Sequence, residues 1–349
     1  MLAIASAVLV GALVIWYAVW RFILTRPRAG EVPYITGGIP FLGVAIPYGK
    51  DPLGFLRAQR AKHGEVFTLL VAGKRLTFIL NPLNAPAIFK AADLDFEELS
   101  NDIGTAAFGY PDLMPLPQVR EDFHRVYNVH LQGSSLLALT DRFNLKMQQY
   151  LQQDRTPIGQ ALKQQTQSAG WCTAKLWDLT YDAMFYAGIE TIFGDGFWNP
   201  ELRKQFATFD QKFALLVGGV PPSLLKVEAL RKTLAGICEQ KLNNRSNVCE
   251  GRFETYDKHG ITGSQVGFFQ LTLMWASQAN SIPAAFWALF YIARDPVVQK
   301  AVMAEWDTVR STYLKDAAAT GQAVSPTSVY CSANVRKLCL LYTSDAADE

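Results

Sequence analysis

The chain has 349 residues, 50% of them hydrophobic and 18% charged, with a formal net charge of +2. That is enough apolar material for one large core, and the balanced charge gives no field aimed at a polyanion, so a nucleic-acid partner is excluded. Five cysteines stand far apart with no Cys-x-x-Cys pair, and no two of the four histidines share a ligand-like spacing. Spacing therefore indicates neither a disulfide framework nor a zinc or imidazole metal centre, and the odd cysteine count fits a reducing compartment.

Residues 2–20 (LAIASAVLVGALVIWYAVW) carry no charge. As a helix they would rise about 28 Å, close to one hydrocarbon core. Trp16, Tyr17 and Trp20 gather at one end, with Arg21, Arg26 and Arg28 immediately after, an aromatic belt and a basic stop that place the remainder in the cytosol. A cleaved secretory signal has its basic residues before the apolar run. Here the order is reversed, so residues 1–24 read as an uncleaved anchor. A sequon at Asn244-Arg245-Ser246 is expected to stay bare on that topology.

Residues 25–51 read as the basic stop and a stiff connector, in which Pro33, Pro40, Pro47 and several glycines disfavour both helix and regular strand. Residues 52–64 (PLGFLRAQRAKHG) predict a short amphipathic helix, with proline at its start, glycine at its end, and Leu53, Leu56 and Ala61 set against Arg57, Arg60 and Lys62. Residues 66–80 hold two β-rich runs around Ala72-Gly73-Lys74, a hairpin signal. From Pro82 onward the periodicity is helical, with clear helices over 143–153, 176–194 and 202–219. The fold class is therefore mainly α with a small β-sheet.

Residues 267–296 (GFFQLTLMWASQANSIPAAFWALFYIARDP) have no charge between Gly267 and Ala293, but Ser277, Gln278, Asn280 and Ser281 sit at their centre. Those groups are costly in lipid, so a helix central to a large core fits better than a second span. Pro283 cannot donate to the carbonyl of Ala279, which predicts a kink beside Asn280. The polar groups at the kink either line a ligand cavity or satisfy one another, and the residues by themselves leave both readings open.

At this point the chain resembles a microsomal cytochrome P-450. Six strings carry the likeness to the sterol 7α- and 12α-hydroxylases and prostacyclin synthase: KHGEVFTLLVAGK (62–74), FILNPL (78–83), LDF (94–96), LQGSSLLALT (131–140), FDQKFALLVGGVP (209–221) and WASQANSIPAAFWALF (275–290). The resemblance implies a cytochrome P-450 fold over residues 52–337, haem b as cofactor, and a sterol or related lipid as substrate. It also implies dioxygen, an NADPH-dependent flavin reductase as partner, and the endoplasmic reticulum membrane as location. Most of the superfamily has an acid followed by a threonine at the kink; Ala279 and Asn280 stand there instead. By the same resemblance Asn280 is the catalytic candidate, Trp275 and Asn280 face substrate and haem, and Ala276 packs over the ring.

One element of the family pattern is missing. The thiolate that binds haem iron lies in a loop of the form Phe-x-x-Gly then Cys-x-Gly, and neither Cys331 nor Cys339 has that surrounding. No iron ligand is therefore assigned. Glu228-Ala229-Leu230-Arg231 imitates the family's Glu-x-x-Arg marker but precedes the long helix, and reads as a solvated helical ion pair. Residues 339–349 (CLLYTSDAADE) look like a translated sequencing adapter, so 338–349 is expected to be a non-native tail and the natural protein to continue into the haem loop. Three functions follow. The chain is part of a haem-thiolate sterol monooxygenase and inactive alone, or of a prostacyclin-synthase-like endoperoxide isomerase, or it is a non-catalytic membrane-anchored lipid binder.

Overall fold

A computed structural model describes residues 11–12, 14–19, 30–37, 39–114, 116–152 and 175–320. Most of the expected anchor, and with it the expected tail and the cysteines at 172, 331 and 339, lies outside the described residues. Within the anchor, residues 14–19 are helical, with Val14, Ile15, Trp16, Tyr17 and Val19 exposed. Among the described residues no helix is long and apolar enough to cross a membrane.

The chain divides into two compact units, residues 1–96 and 97–349. The first is built on a three-stranded sheet of order β1 (Tyr34–Ile35), β2 (Val66–Val71), β3 (Lys74–Ile79). The expected hairpin is present. Ala72 and Gly73 take φ of 46° and 82°, the left-handed pair that a two-residue turn matching strand twist demands. The glycine is required twice over, because a Cβ at residue 73 would stand 2.4 Å from the Phe41 ring.

The connector departs from expectation. It contains a strand, β1, paired parallel to β2, and a six-residue helix α1 (Ala45–Lys50). The prolines tolerate this because each sits where no ladder donor is required. The Thr68 amide donates to the Pro33 carbonyl at 2.8 Å, using the one backbone group proline keeps, and Pro47 lies in the first turn of α1. Helix α2 (Pro52–His63) begins and ends as expected, with the Asp51 carboxylate accepting from the Gly54 amide and Gly64 at φ 86°. Its buried face agrees with expectation at Leu56 but not at Leu53 or Ala61. Phe55 and Leu56 pack on Phe67 and Leu69 of β2, while Leu53 is exposed. A further short helix, α3 (Ala85–Lys90), follows the sheet.

The second unit is helical among the described residues: α4 (Glu97–Ile103), running into a wider π-type turn at Gly104–Phe108; α5 (Pro117–His130); α6 (Gly133–Gln152); α7 (Leu176–Phe193); α8 (Pro200–Val217); α9 (Glu228–Cys238); α10 (Asn247–Lys258); α11 (Ser264–Gln278); α12 (Ser281–Arg294) and α13 (Pro296–Thr320). The helices expected over 143–153, 176–194 and 202–219 are α6, which starts ten residues earlier at Gly133, α7 and α8. Helix α6 packs on α7 through a cluster of Tyr150, Ala183 and Tyr186, separate from a main core that takes in α7 and α8, with Phe108, Phe185, Phe206, Phe209, Tyr256 and Phe269 fully enclosed. Each such ring contributes about 1.5–3 kcal/mol by leaving water.

Two glycines set how closely the helices approach. A Cβ on Gly267 of α11 would lie 2.2 Å from the Ala235 carbonyl of α9, and one on Gly188 of α7 would lie 2.4 Å from the Gln278 amide nitrogen. These contacts position α11 against α7 and α9. The Glu228-x-x-Arg231 pair is corrected in part: Glu228 pairs with Lys232 at 3.0 Å, whereas Arg231 turns inward and donates to the Ala106 carbonyl at 3.2 Å. Burial of the Arg231 guanidinium lowers its pKa, which a solvated partner of Glu228 would not experience.

Candidate functional site

The uncharged run over residues 267–296 is two helices, α11 and α12, separated at Ala279 and Asn280. Both residues keep right-handed backbone angles (φ −61°, ψ −28° and φ −99°, ψ −38°), so the two helices are joined by helix-like backbone with a gap in the hydrogen-bond ladder. The Ala279 amide donates to the Trp275 carbonyl at 2.9 Å and the Ala284 amide to the Asn280 carbonyl at 3.1 Å. Between them Pro283 has no donor for Ala279, and the helix is interrupted at the position where the sequence predicts a kink.

Trp275 is half-buried in the last turn of α11. Its indole stacks on Phe213 of α8 at 3.8 Å and 18°, and meets Phe108 edge-on at 5.8 Å. Its Nε1–H donates to an Asp210 carboxylate oxygen at 2.8 Å. Burial raises the pKa of Asp210, partly offset by that hydrogen bond. The sequence reading had no role for Asp210, although it lies in the FDQKF string; its partner is 65 residues away, and only the fold joins them. Ala276 and Asn280, one helical turn apart, are both exposed beside Trp275.

Both readings of the kink's polar groups have a counterpart in the structure. Ser277 donates to the Met274 carbonyl at 2.9 Å and Gln278 donates to Ser277 Oγ at 3.1 Å, so these groups satisfy one another. They also line a cavity of about 280 Å³ with Leu139, Thr140, Phe143, Met184, Gly188, Thr191, Ile192 and Ser281. None of Trp275, Ala276 and Asn280 lines it.

A buried polar cage stands behind α11. Arg252 of α10, 2% exposed, donates to the Phe269 carbonyl at 2.6 Å, to Gln270 Oε1 at 3.0 Å, to the Tyr256 hydroxyl at 3.1 Å and to the Tyr127 hydroxyl. Its guanidinium also lies 4.6 Å over the Phe123 ring. This cage fixes the rear of α11 while Trp275 is held at the front.

No protein-family model matches the chain. Curated relatives do. The chain is 32% identical over 312 residues to "Cytochrome P450 7A1" of Rattus norvegicus, a match covering 83% of this chain and 59% of that protein. It is 31% identical over 304 residues to "Cytochrome P450 7B1" of Mus musculus, covering 82% of this chain and 57% of that one. It is 28% identical over 297 residues to the "7-alpha-hydroxycholest-4-en-3-one 12-alpha-hydroxylase" of Homo sapiens, covering 81% and 57%. Over 81–85% of its length the chain is homologous to cytochrome P450 proteins of the sterol 7α- and 12α-hydroxylase kind, which are oxidoreductases. It spans about 57–61% of the length of these relatives.

That family implies haem, and the described residues fit it on one side. Ala276 offers a small side chain and Asn280 an amide on the open face of the kink, with an aromatic wall adjoining. The axial thiolate is not supplied among the described residues. Burial pushes the Cys249 thiol up to about 11 and Cys238 higher still, so neither presents the anion that iron requires.

Proposed function

We propose that this chain supplies the substrate-facing wall and the kinked central helix of a haem-thiolate monooxygenase that hydroxylates a sterol or related lipid. The observation that carries the reading is the stacked, half-buried pair of Trp275 and Phe213, backed edge-on by the enclosed Phe108, close to the helix gap, an apolar aromatic surface suited to a fused-ring lipid. Similarity to sterol 7α- and 12α-hydroxylases supports the substrate class. In this reading Trp275 packs on the substrate. Ala276 leaves room for the ring edge, and Asn280 presents its amide to substrate and haem where an acid and threonine stand in most of the superfamily. Haem, when bound, supplies activation of dioxygen with electrons from an NADPH-dependent flavin reductase.

The activity requires a thiolate loop, and the chain spans about 57–60% of the length of its relatives. The apolar run of residues 2–20, its helical part exposing Trp16 and Tyr17, supports a single-pass anchor in the endoplasmic reticulum membrane, which puts the site next to a lipid-dissolved substrate. The gene read past the codon for Lys337 is expected to encode a Phe-x-x-Gly, Cys-x-Gly loop. Its full product, given reductase and cholesterol, is expected to yield a hydroxylated sterol by mass spectrometry. A genuine stop codon there, or turnover that needs neither dioxygen nor reductase, overturns the proposal.

A further inference from the structure

The aromatic wall has one polar fixing point. Stacking of the Trp275 indole on Phe213 at 3.8 Å gives area and attraction, but it does not by itself select which edge of the indole points to Asp210, since a half turn about χ2 exchanges the pyrrole and benzo edges and still leaves an aromatic face against Phe213, with a changed overlap. The hydrogen bond from Nε1–H to the Asp210 carboxylate, at 2.8 Å, is not indifferent. Turning the ring removes the donor from its acceptor and leaves a half-buried carboxylate unsatisfied.

Asp210 has little else to do. It makes no ion pair among the described residues, and Arg203 of the same helix is engaged with Asp182 at 2.6 Å and with the Tyr181 ring at 4.4 Å. A carboxylate removed from water without a cation is costly, and here its hydrogen-bond partner among the described residues is the indole. The asymmetry makes the observed orientation of Trp275 favoured over the turned one by at least about tenfold, the factor a charge-assisted hydrogen bond provides.

We propose that Asp210 is a specificity-determining positioning residue: through Trp275 Nε1 it fixes the orientation of the indole, and with it the shape of the plane on which a fused-ring lipid lies and the choice between lipids that differ in ring substituents. The proposal rests on the reading that Trp275 faces the substrate, and adds the residue that sets how.

Two measurements on the full chain separate the proposal from that reading. In ¹⁵N-labelled protein, with the Trp275 indole resonance assigned by its loss in W275F, D210L is expected to move the Nε1–H signal upfield, and D210N, which keeps an acceptor oxygen, to leave it near its wild-type place. The fluorescent sterol dehydroergosterol, read by energy transfer from tryptophan, then reports binding, with cholesterol and cholest-4-en-3-one as competitors. D210L is expected to change the ratio of the two competition constants by about three- to tenfold, with D210N restoring most of it. A purely structural role would weaken both competitors alike. If W275F leaves sterol binding unaltered, or if wild-type protein shows no transfer, the substrate reading falls and the specificity role with it. If W275F alters the ratio while D210L leaves both ratio and indole resonance unmoved, Asp210 alone is refuted and the substrate reading stands.

Discussion

Helices α11 and α12 are two halves of one uncharged run, yet they live in different surroundings. In α11, Val266, Phe269, Gln270, Leu271, Leu273, Met274 and Gln278 are buried, whereas in α12 only Ile282 is. Trp287 is 50% exposed and Tyr291 57%, and Val297 just beyond is 78%. Composition does not explain the contrast, since α12 is at least as apolar as α11. The difference lies in neighbours: α11 is enclosed by α7, α9, α10 and the α8 wall, while α12 packs one face on α7, with Phe286 meeting Trp177 at 5.1 Å, and leaves its other face exposed. Apolar character creates the drive to bury a face, and the partner decides whether it is met.

The largest test of that contrast is Arg252. Replacing it with alanine strips partners from the Phe269 carbonyl, Gln270 and Tyr127 and empties the space over Phe123. R252A is expected to lower the unfolding free energy by about 3–5 kcal/mol, read from urea denaturation of the chain. If R252A unfolds with wild-type stability, α11 is not held from behind as described.

Next comes Gly267, where alanine should favour a helix by about 1 kcal/mol in isolation. Here the added carbon would strike the Ala235 carbonyl at 2.2 Å, so G267A is expected to destabilise by about 1–3 kcal/mol net. A stabilised variant would mean that α9 and α11 pack less closely.

Acid probes the same packed half. Asp122 of α5 accepts from Lys258 at 2.5 Å and His259 at 2.8 Å at the end of α10. The Lys258 bond first, then that of His259, holds the carboxyl at about 2, below its ordinary 3.8. A carboxyl depressed in the folded state contributes stability that is complete above its unfolded value and lost as pH falls through the folded one. Thermal melts are therefore expected to drop between about pH 4 and pH 2 more steeply for wild type than for D122N. Equal slopes would show that the α5–α10 clasp is not ionic.

The smallest effect belongs to α12. W287S and Y291S are expected to alter unfolding free energy by no more than about 0.5 kcal/mol each while reducing self-association in light scattering, because these rings are largely in water already. A loss of several kcal/mol would break the comparison by showing α12 to be packed in solution.

Much of this architecture was legible in the sequence where the determinant is local. The hairpin over Ala72-Gly73, the proline-to-glycine limits of α2 and the gap at Ala279-Asn280 each follow from what one or two residues allow the backbone to do. The connector was misjudged because β1 takes its hydrogen bonds from β2, more than thirty residues away, and proline's intact carbonyl suffices for that. Leu53 was misassigned because periodicity names a possible face and the sheet chose Phe55 and Leu56. At the site, Trp275, Ala276 and Asn280 were visible as residues, but their different exposures were not.

By itself the sequence determined the fold class, the family and the position of the helix break, since backbone chemistry and a recognisable order of strings need no partner. Only the tertiary structure decided that Asp210 reaches Trp275, that Arg231 abandons Glu228 for the Ala106 carbonyl, and that Arg252 is caged by hydroxyl, amide and carbonyl oxygens. Each of these depends on groups distant in the chain meeting where water has been excluded. There, the cost of leaving a polar group unpaired outweighs local preference and selects the partner.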